Sequence, residues 1–85
     1  MKLIKISAIW CPSCLVMEEV WQKLQRQKND VEYVSLDYDI DEVDGYNVGD
    51  TLPVIILVKG EKELKRFVGE VSVEELIEGM KLYEE

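Results

Sequence analysis

Cys11 and Cys14 are the only cysteines of the 85-residue chain, and they stand at a junction. A β-like run, Leu3 to Ile9, leads into Trp10-Cys11-Pro12-Ser13-Cys14, and a helix-like run begins at Pro12. This limits the fold more than any other feature, because a strand must give way to a helix within a few residues and both thiols must fall on its first turn. C-x-x-C spacing at such a junction is the arrangement of a redox dithiol, able to close a small disulfide ring and reopen it. A helix N-terminus leaves backbone N–H groups unpaired and directs partial positive charge at its first residues, so it stabilises a thiolate. Cys11 is therefore expected to be the exposed nucleophile and Cys14 the shielded resolving thiol.

The flanking segments read as alternating strands and helices. Leu3 to Ile9 is rich in branched residues, with polar side chains only at Lys5 and Ser7, as in a central strand. From Pro12 the apolar residues Cys14, Met17, Trp21 and Leu24 recur at three and four positions, which predicts an amphipathic helix ending near Lys28. Pro12 suits its first turn, having no N–H to lose there. Val31 to Asp37 returns to a β pattern, so strand, helix and strand imply a right-handed βαβ unit with parallel strands. Asp39 and Glu42 resemble a capping pair for a short helix over Ile40 to Asp44, closed by Gly45, after which Asn47 to Thr51 reads as loop. Leu52 to Val58 is the most apolar run and predicts a strand covered on both faces. A turn at Lys59 to Lys62 returns Glu63 to Val68 as an antiparallel edge strand, its Lys65 and Arg66 discouraging further pairing. Ser72 with Glu75 forms a capping box and Val71 with Leu76 a hydrophobic staple, starting a last helix from Val73 to about Tyr83. The fold class is α/β, β-α-β-α-β-β-α around a four-stranded mixed sheet, with one domain over residues 1–85.

Charge narrows the partners. With 18 acidic against 10 basic residues the net charge is −8, which leaves no basic patch for nucleic acid or an anionic membrane surface. No apolar stretch approaches the roughly 20 residues that cross a bilayer, and Lys5 interrupts the N-terminal run, so the chain reads as cytoplasmic rather than as one led by a signal peptide. In a reducing compartment two cysteines point to catalysis or metal binding rather than to a structural staple. Glu18, Glu19, Asp41 and Asp44 read as solvated surface, and Trp21 as core.

In order and in context, these motifs resemble the thioredoxin superfamily. Trp10-Cys11-Pro12-Ser13-Cys14 is similar to its W-C-x-x-C, Leu52-Pro53 to its cis-proline loop, and Gly69-Glu70 to the glycine loop after its last strand. The resemblance covers nearly the whole chain, without the extra N-terminal strand and helix of full-length thioredoxins, and so suggests a small thioredoxin-like or glutaredoxin-like protein. It implies a thiol–disulfide oxidoreductase that needs no cofactor beyond the Cys11–Cys14 disulfide. Its partners would be disulfide-containing proteins and a recycling reductase or glutathione, and it would act as a monomer. It further implies a cis Leu52–Pro53 bond whose backbone pairs with an extended substrate, and a docking groove bordered by Trp10, Pro12, Leu52, Pro53 and Gly69. Simpler readings stay open: Trp10 as a cap on the core, Pro53 as a trans proline starting a strand, Gly69 as a turn glycine.

Three departures bear on function. Lys5 stands where thioredoxins usually carry a buried aspartate, so it is a candidate for tuning the thiol pKa values, with Asp37 as its expected partner; the alternative is that it bends out to solvent along its stem. The proline later in the family's active-site helix is replaced near Glu19. Pro12 is glutaredoxin-like, yet the Gly-Gly and following aspartate with which glutaredoxins bind glutathione are missing, which favours a general disulfide reductant over a glutathione-dependent one. Metal binding is a reading of another class. With no histidine, a four-ligand zinc site would need the C-x-x-C pairs of two chains in a dimer.

Overall fold

A computed structural model describes residues 1–83, apart from the side chain of Asp44, whose expected exposure thus lies outside the described residues. Its elements are β1 (Lys2–Ser7), α1 (Pro12–Gln27), β2 (Glu32–Asp37), β3 (Val54–Lys59), β4 (Lys62–Val68) and α2 (Val73–Lys81). The sheet order is β2-β1-β3-β4. β1 runs parallel to β2, with Ser7 opposite Asp37, and antiparallel to β3, with Ile6 opposite Val54. β3 pairs antiparallel with β4, which brings Val54 opposite Val68. The mixed four-stranded sheet and its two helices match the expected order, and β1 is central. One end of the sheet thus collects the ends of β1, β2 and β4 and the start of β3.

Alternation along the strands builds two cores. Leu3, Ile55 and Leu57 point to the face covered by both helices, where Met17, Trp21, Leu24, Leu76 and Met80 meet them. Ile4, Ile6, Val54 and Ile56 point to the other face, where they pack with Val43 and Leu52 from the long connection between β2 and β3. Each such side chain stabilises the fold by roughly 1.5–3 kcal/mol when fully buried. α2 starts as its sequence predicts, Ser72 Oγ accepting the Glu75 N–H at 3.1 Å. It approaches β4 closely at Gly79, where a Cβ atom would lie 2.5 Å from the edge of the Phe67 ring.

The short helix expected over Ile40 to Asp44 does not form. The expected cap is engaged elsewhere, Asp39 Oδ2 accepting from Trp10 Nε1 at 2.6 Å, and two other carboxylates close the backbone locally: Asp37 Oδ1 accepts the Asp39 N–H at 2.9 Å, and Asp41 Oδ2 accepts the Asp37 N–H at 2.7 Å. The Asp37 carbonyl takes the N–H groups of both Ile40 and Asp41, closing a tight turn that competes with helix. Only one 3-10 turn follows, Asp44–Tyr46. Arg66 pins it from β4, its guanidinium donating to the carbonyls of Tyr46 at 2.6 Å and Asn47 at 3.2 Å while paired with Glu63.

Candidate active site

β1 stops at Ser7, two residues earlier than its apolar run suggests, because the chain turns there: the Cys11 N–H donates to the Ala8 carbonyl at 3.2 Å. Cys11 becomes the N-cap of α1, with extended backbone, and its Sγ accepts the Cys14 N–H at 3.2 Å. A cysteine thus occupies the place of an ordinary Ser or Asp cap, its sulfur at the N-terminal end of a 16-residue helix, which carries partial positive charge. Pro12 is the first helical residue, exposed on the surface.

The opposite wall is the Leu52–Pro53 turn, whose peptide bond is cis. The Cys11 thiol donates to the Leu52 carbonyl at 3.6 Å. The Gly69 N–H donates to the Pro53 carbonyl at 2.8 Å, and Gly69 has a φ of +83°, which a side chain would strain. The cis bond removes the reading of Pro53 as a trans residue, while the positive φ of Gly69 is what a turn glycine supplies. Trp10 does not cap the core. It is 60% exposed, donates from Nε1 to Asp39 Oδ2 at 2.6 Å and meets the Tyr38 ring edge to face. Leu52 thus touches the Cys11 sulfur, Trp10 and Pro12 flank Cys11 in the chain, and Gly69 is tied to the turn through Pro53.

Two expectations require correction. Cys11 is not exposed: it retains 6% of its accessible surface and Cys14 4%, because the Leu52–Pro53 turn lies against the first sulfur and the helix covers the second. Lys5 neither reaches solvent nor pairs with Asp37. It is 3% exposed, packs over the Trp21 ring and donates to Glu18 Oε2 at 2.7 Å. In register Lys5 lies beside Ser35 and Ile55, on the helix-covered face, whereas Asp37 lies beside Ser7 at the strand end. Glu18 is thus no idle surface carboxylate.

Both cysteines are free thiols. Burial is the main reason that Cys14 is pushed up to about 11 from an ordinary 9.0; its hydrogen bond with Cys11 adds to the rise, and a backbone hydrogen bond at Ala8 opposes it. The charges of Cys11 and Lys5 follow, the first raising and the second lowering it. Among the described residues no three His, Cys, Asp or Glu side chains converge as metal ligands.

Sequence reasoning missed three neighbours of the site. Asp39 looked like a helix cap and instead holds Trp10; Glu70 accepts a hydrogen bond from Ser13 Oγ at 2.9 Å across the mouth of the site. Glu18, read as solvated surface, is the third; the signal that could have found it is its place four residues after Cys14, on the same side of α1.

A strand that ends in a dithiol at a helix N-cap, faced by a cis-proline turn on the same mixed sheet, defines the thioredoxin fold. The chain belongs to the thioredoxin family, whose model matches residues 1–82. It is 35% identical over 69 residues to Thioredoxin H2 of Arabidopsis thaliana, covering 79% of this chain and 51% of that one. Among solved structures it resembles thioredoxin-2, a component of malaria parasite protein secretion machinery, at 28% identity and a TM-score of 0.89, covering 95% of this chain and 81% of the other. It also resembles Fasciola hepatica thioredoxin at 25% identity and a TM-score of 0.86, covering 98% and 80%. The chain spans about half the length of the plant relative.

Proposed function

We propose that this chain is a thiol–disulfide oxidoreductase that reduces protein disulfides as a single cytoplasmic domain, active as a monomer and recycled by a reductase or a thiol donor. The observation that carries this reading is the Cys11 sulfur itself, which receives the Cys14 N–H at the helix N-terminus and touches the Leu52 carbonyl beside the cis bond. Cys11 thiolate attacks one sulfur of the substrate; the substrate S–S bond breaks, its second sulfur leaves as thiolate and takes a proton from water. Cys14 then loses its proton and attacks Cys11, releasing the first substrate sulfur and leaving the Cys11–Cys14 disulfide. Two electrons have passed to the substrate.

The cause of the high Cys14 value supports this order. Two of the influences that hold its proton, the hydrogen bond with Cys11 and the charge of Cys11, vanish once Cys11 is tied up in the mixed disulfide. Burial, the largest influence, remains, but the proton is held less firmly in the mixed disulfide than in the free dithiol. Trp10, Pro12, Leu52, Pro53 and Gly69 border the substrate strand in this reading, and Lys5 eases the loss of the Cys14 proton. The chemistry needs only the dithiol.

Cys14→Ser tests the roles. With a disulfide protein it should accumulate a mixed disulfide through Cys11, whereas Cys11→Ser should trap none. A trap formed through Cys14 in the second variant, or by neither, contradicts the proposal.

A further inference from the structure

The connections that meet at the dithiol end of the sheet are residues 8–13, 38–53 and 69–72, and none contains a lysine or arginine. They do carry Asp39, Asp41, Glu42, Asp50 and Glu70, all exposed. Of the basic residues, Lys5 is buried, Arg66 reaches the 38–53 connection at the Tyr46 and Asn47 carbonyls but is paired with Glu63, and Lys2, Lys59 and Lys62 lie at the opposite end, interspersed with Glu32 and Glu61. The dithiol end is therefore acidic, whereas the opposite end mixes both signs. Within the acidic rim sits an apolar centre: Ile9 and Ile40 are each 82% exposed, and Trp10 is held against Tyr38 between them in the chain. Exposed apolar side chains gathered beside a reactive group and rimmed by charge mark an interaction surface.

We infer that this face docks a protein disulfide flanked by lysine and arginine side chains. The apolar centre takes their aliphatic stems and the rim their charges, and the same field turns away acidic disulfides, the anionic glutathione disulfide among them. This rests on the reading of the chain as a disulfide reductant and adds the substrate class. A focused field of one sign raises the encounter rate with an oppositely charged partner by roughly 10–1000-fold at low salt. Trp10 links the two parts of the surface, since its indole N–H is bonded to the rim residue Asp39.

The test is single-turnover reduction, by the fully reduced protein, of cyclic disulfide peptides that differ only in flanking lysines, glutamines or glutamates. Each rate constant is divided by that of the same peptide with dithiothreitol, an uncharged reductant, to remove the intrinsic reactivity of the disulfide. The lysine peptide should exceed the glutamate peptide by about 10–100-fold at low salt, and the ratio should fall to within about 3-fold near 1 M salt, where the screening length is about 3 Å. Glu42→Gln combined with Asp50→Asn should reduce the low-salt ratio by at least about 3-fold, whereas the same charge change at the distant exposed Glu61 and Glu78, both to Gln, should leave it unchanged. Equal normalised rates for the three peptides, or an equal loss of preference in the distant variant, would overturn the inference while leaving the reductase reading intact. Reduction of none of them, the glutamine peptide included, would remove both.

Discussion

The proton held by Cys14 sets how the redox couple should respond to alkali. Reducing a disulfide takes two electrons and, wherever both product thiols are protonated, two protons; each proton lowers the potential by about 30 mV per pH unit. An ordinary thiol stops contributing near 9.0, but Cys14, held at about 11 by burial first and by its hydrogen bond with Cys11 second, contributes for two further units. At that upper pH the couple should lie about 60 mV more negative than one with an unperturbed second thiol, equivalent to roughly 2.8 kcal/mol. The linkage has a definite sign. A value raised by folding stabilises the reduced protein fully below 9.0, and that stabilisation disappears as the pH climbs to about 11; the oxidised protein, with no thiol to titrate, shows no such loss from Cys14. Equilibration against the dithiothreitol couple across this range, with acid quench and mass analysis of alkylated thiols, reads the slope, and circular dichroism monitors the fold. A final break near pH 9.0 would refute the argument. So would an unchanged Cys14 titration in Cys11→Ala, which removes two of the three influences that raise it.

Two further predictions concern packing around the site. Glu18→Gln leaves the Lys5 ammonium buried without its counter-charge and should destabilise the reduced protein by about 1–3 kcal/mol in urea unfolding, below the cost of breaking a fully buried pair because Glu18 is 53% exposed. Lys5→Met fills the same space without a charge and should change stability by less than about 1 kcal/mol, while raising Cys14 further; a larger loss than that of Glu18→Gln would show that the ion pair is net stabilising. Gly79→Ala gains roughly 1 kcal/mol of helix propensity but forces a Cβ atom to within 2.5 Å of Phe67, so the melting temperature should fall rather than rise.

Most of the fold was legible because its signals are local. The 3.6-residue stripe of α1, the apolar run of β3 and the Ser72 cap each depend on neighbours within a few positions. The dithiol was legible for the same reason, its spacing and its place at the start of α1 being visible in a few consecutive residues. What the chain did not disclose depends on partners far apart in sequence. Lys5 finds Glu18 rather than Asp37 because the strand's alternation turns it to the helix face, and that choice follows from register, which composition leaves open. Asp39 has the chemistry of a helix cap, but the side chains of Asp37 and Asp41 close a turn first and free it for Trp10. Burial of Cys11 likewise comes from a turn more than forty positions along the chain, at Leu52.

The connection between β2 and β3 does two jobs with one piece of backbone. Its Val43 and Leu52 roof the second face of the sheet, and its last residues, Leu52 and Pro53, form the wall against which Cys11 rests. Arg66 fastens it near the middle, through the carbonyls of Tyr46 and Asn47. A fluctuation that lifts this roof therefore also withdraws the Leu52 carbonyl from the sulfur, so the free energy of local opening and the integrity of the dithiol pocket are one quantity. Heat or denaturant would then disable the site at the opening of this segment, before the sheet itself comes apart, and a ligand seated between Cys11 and Leu52 would hold the roof down.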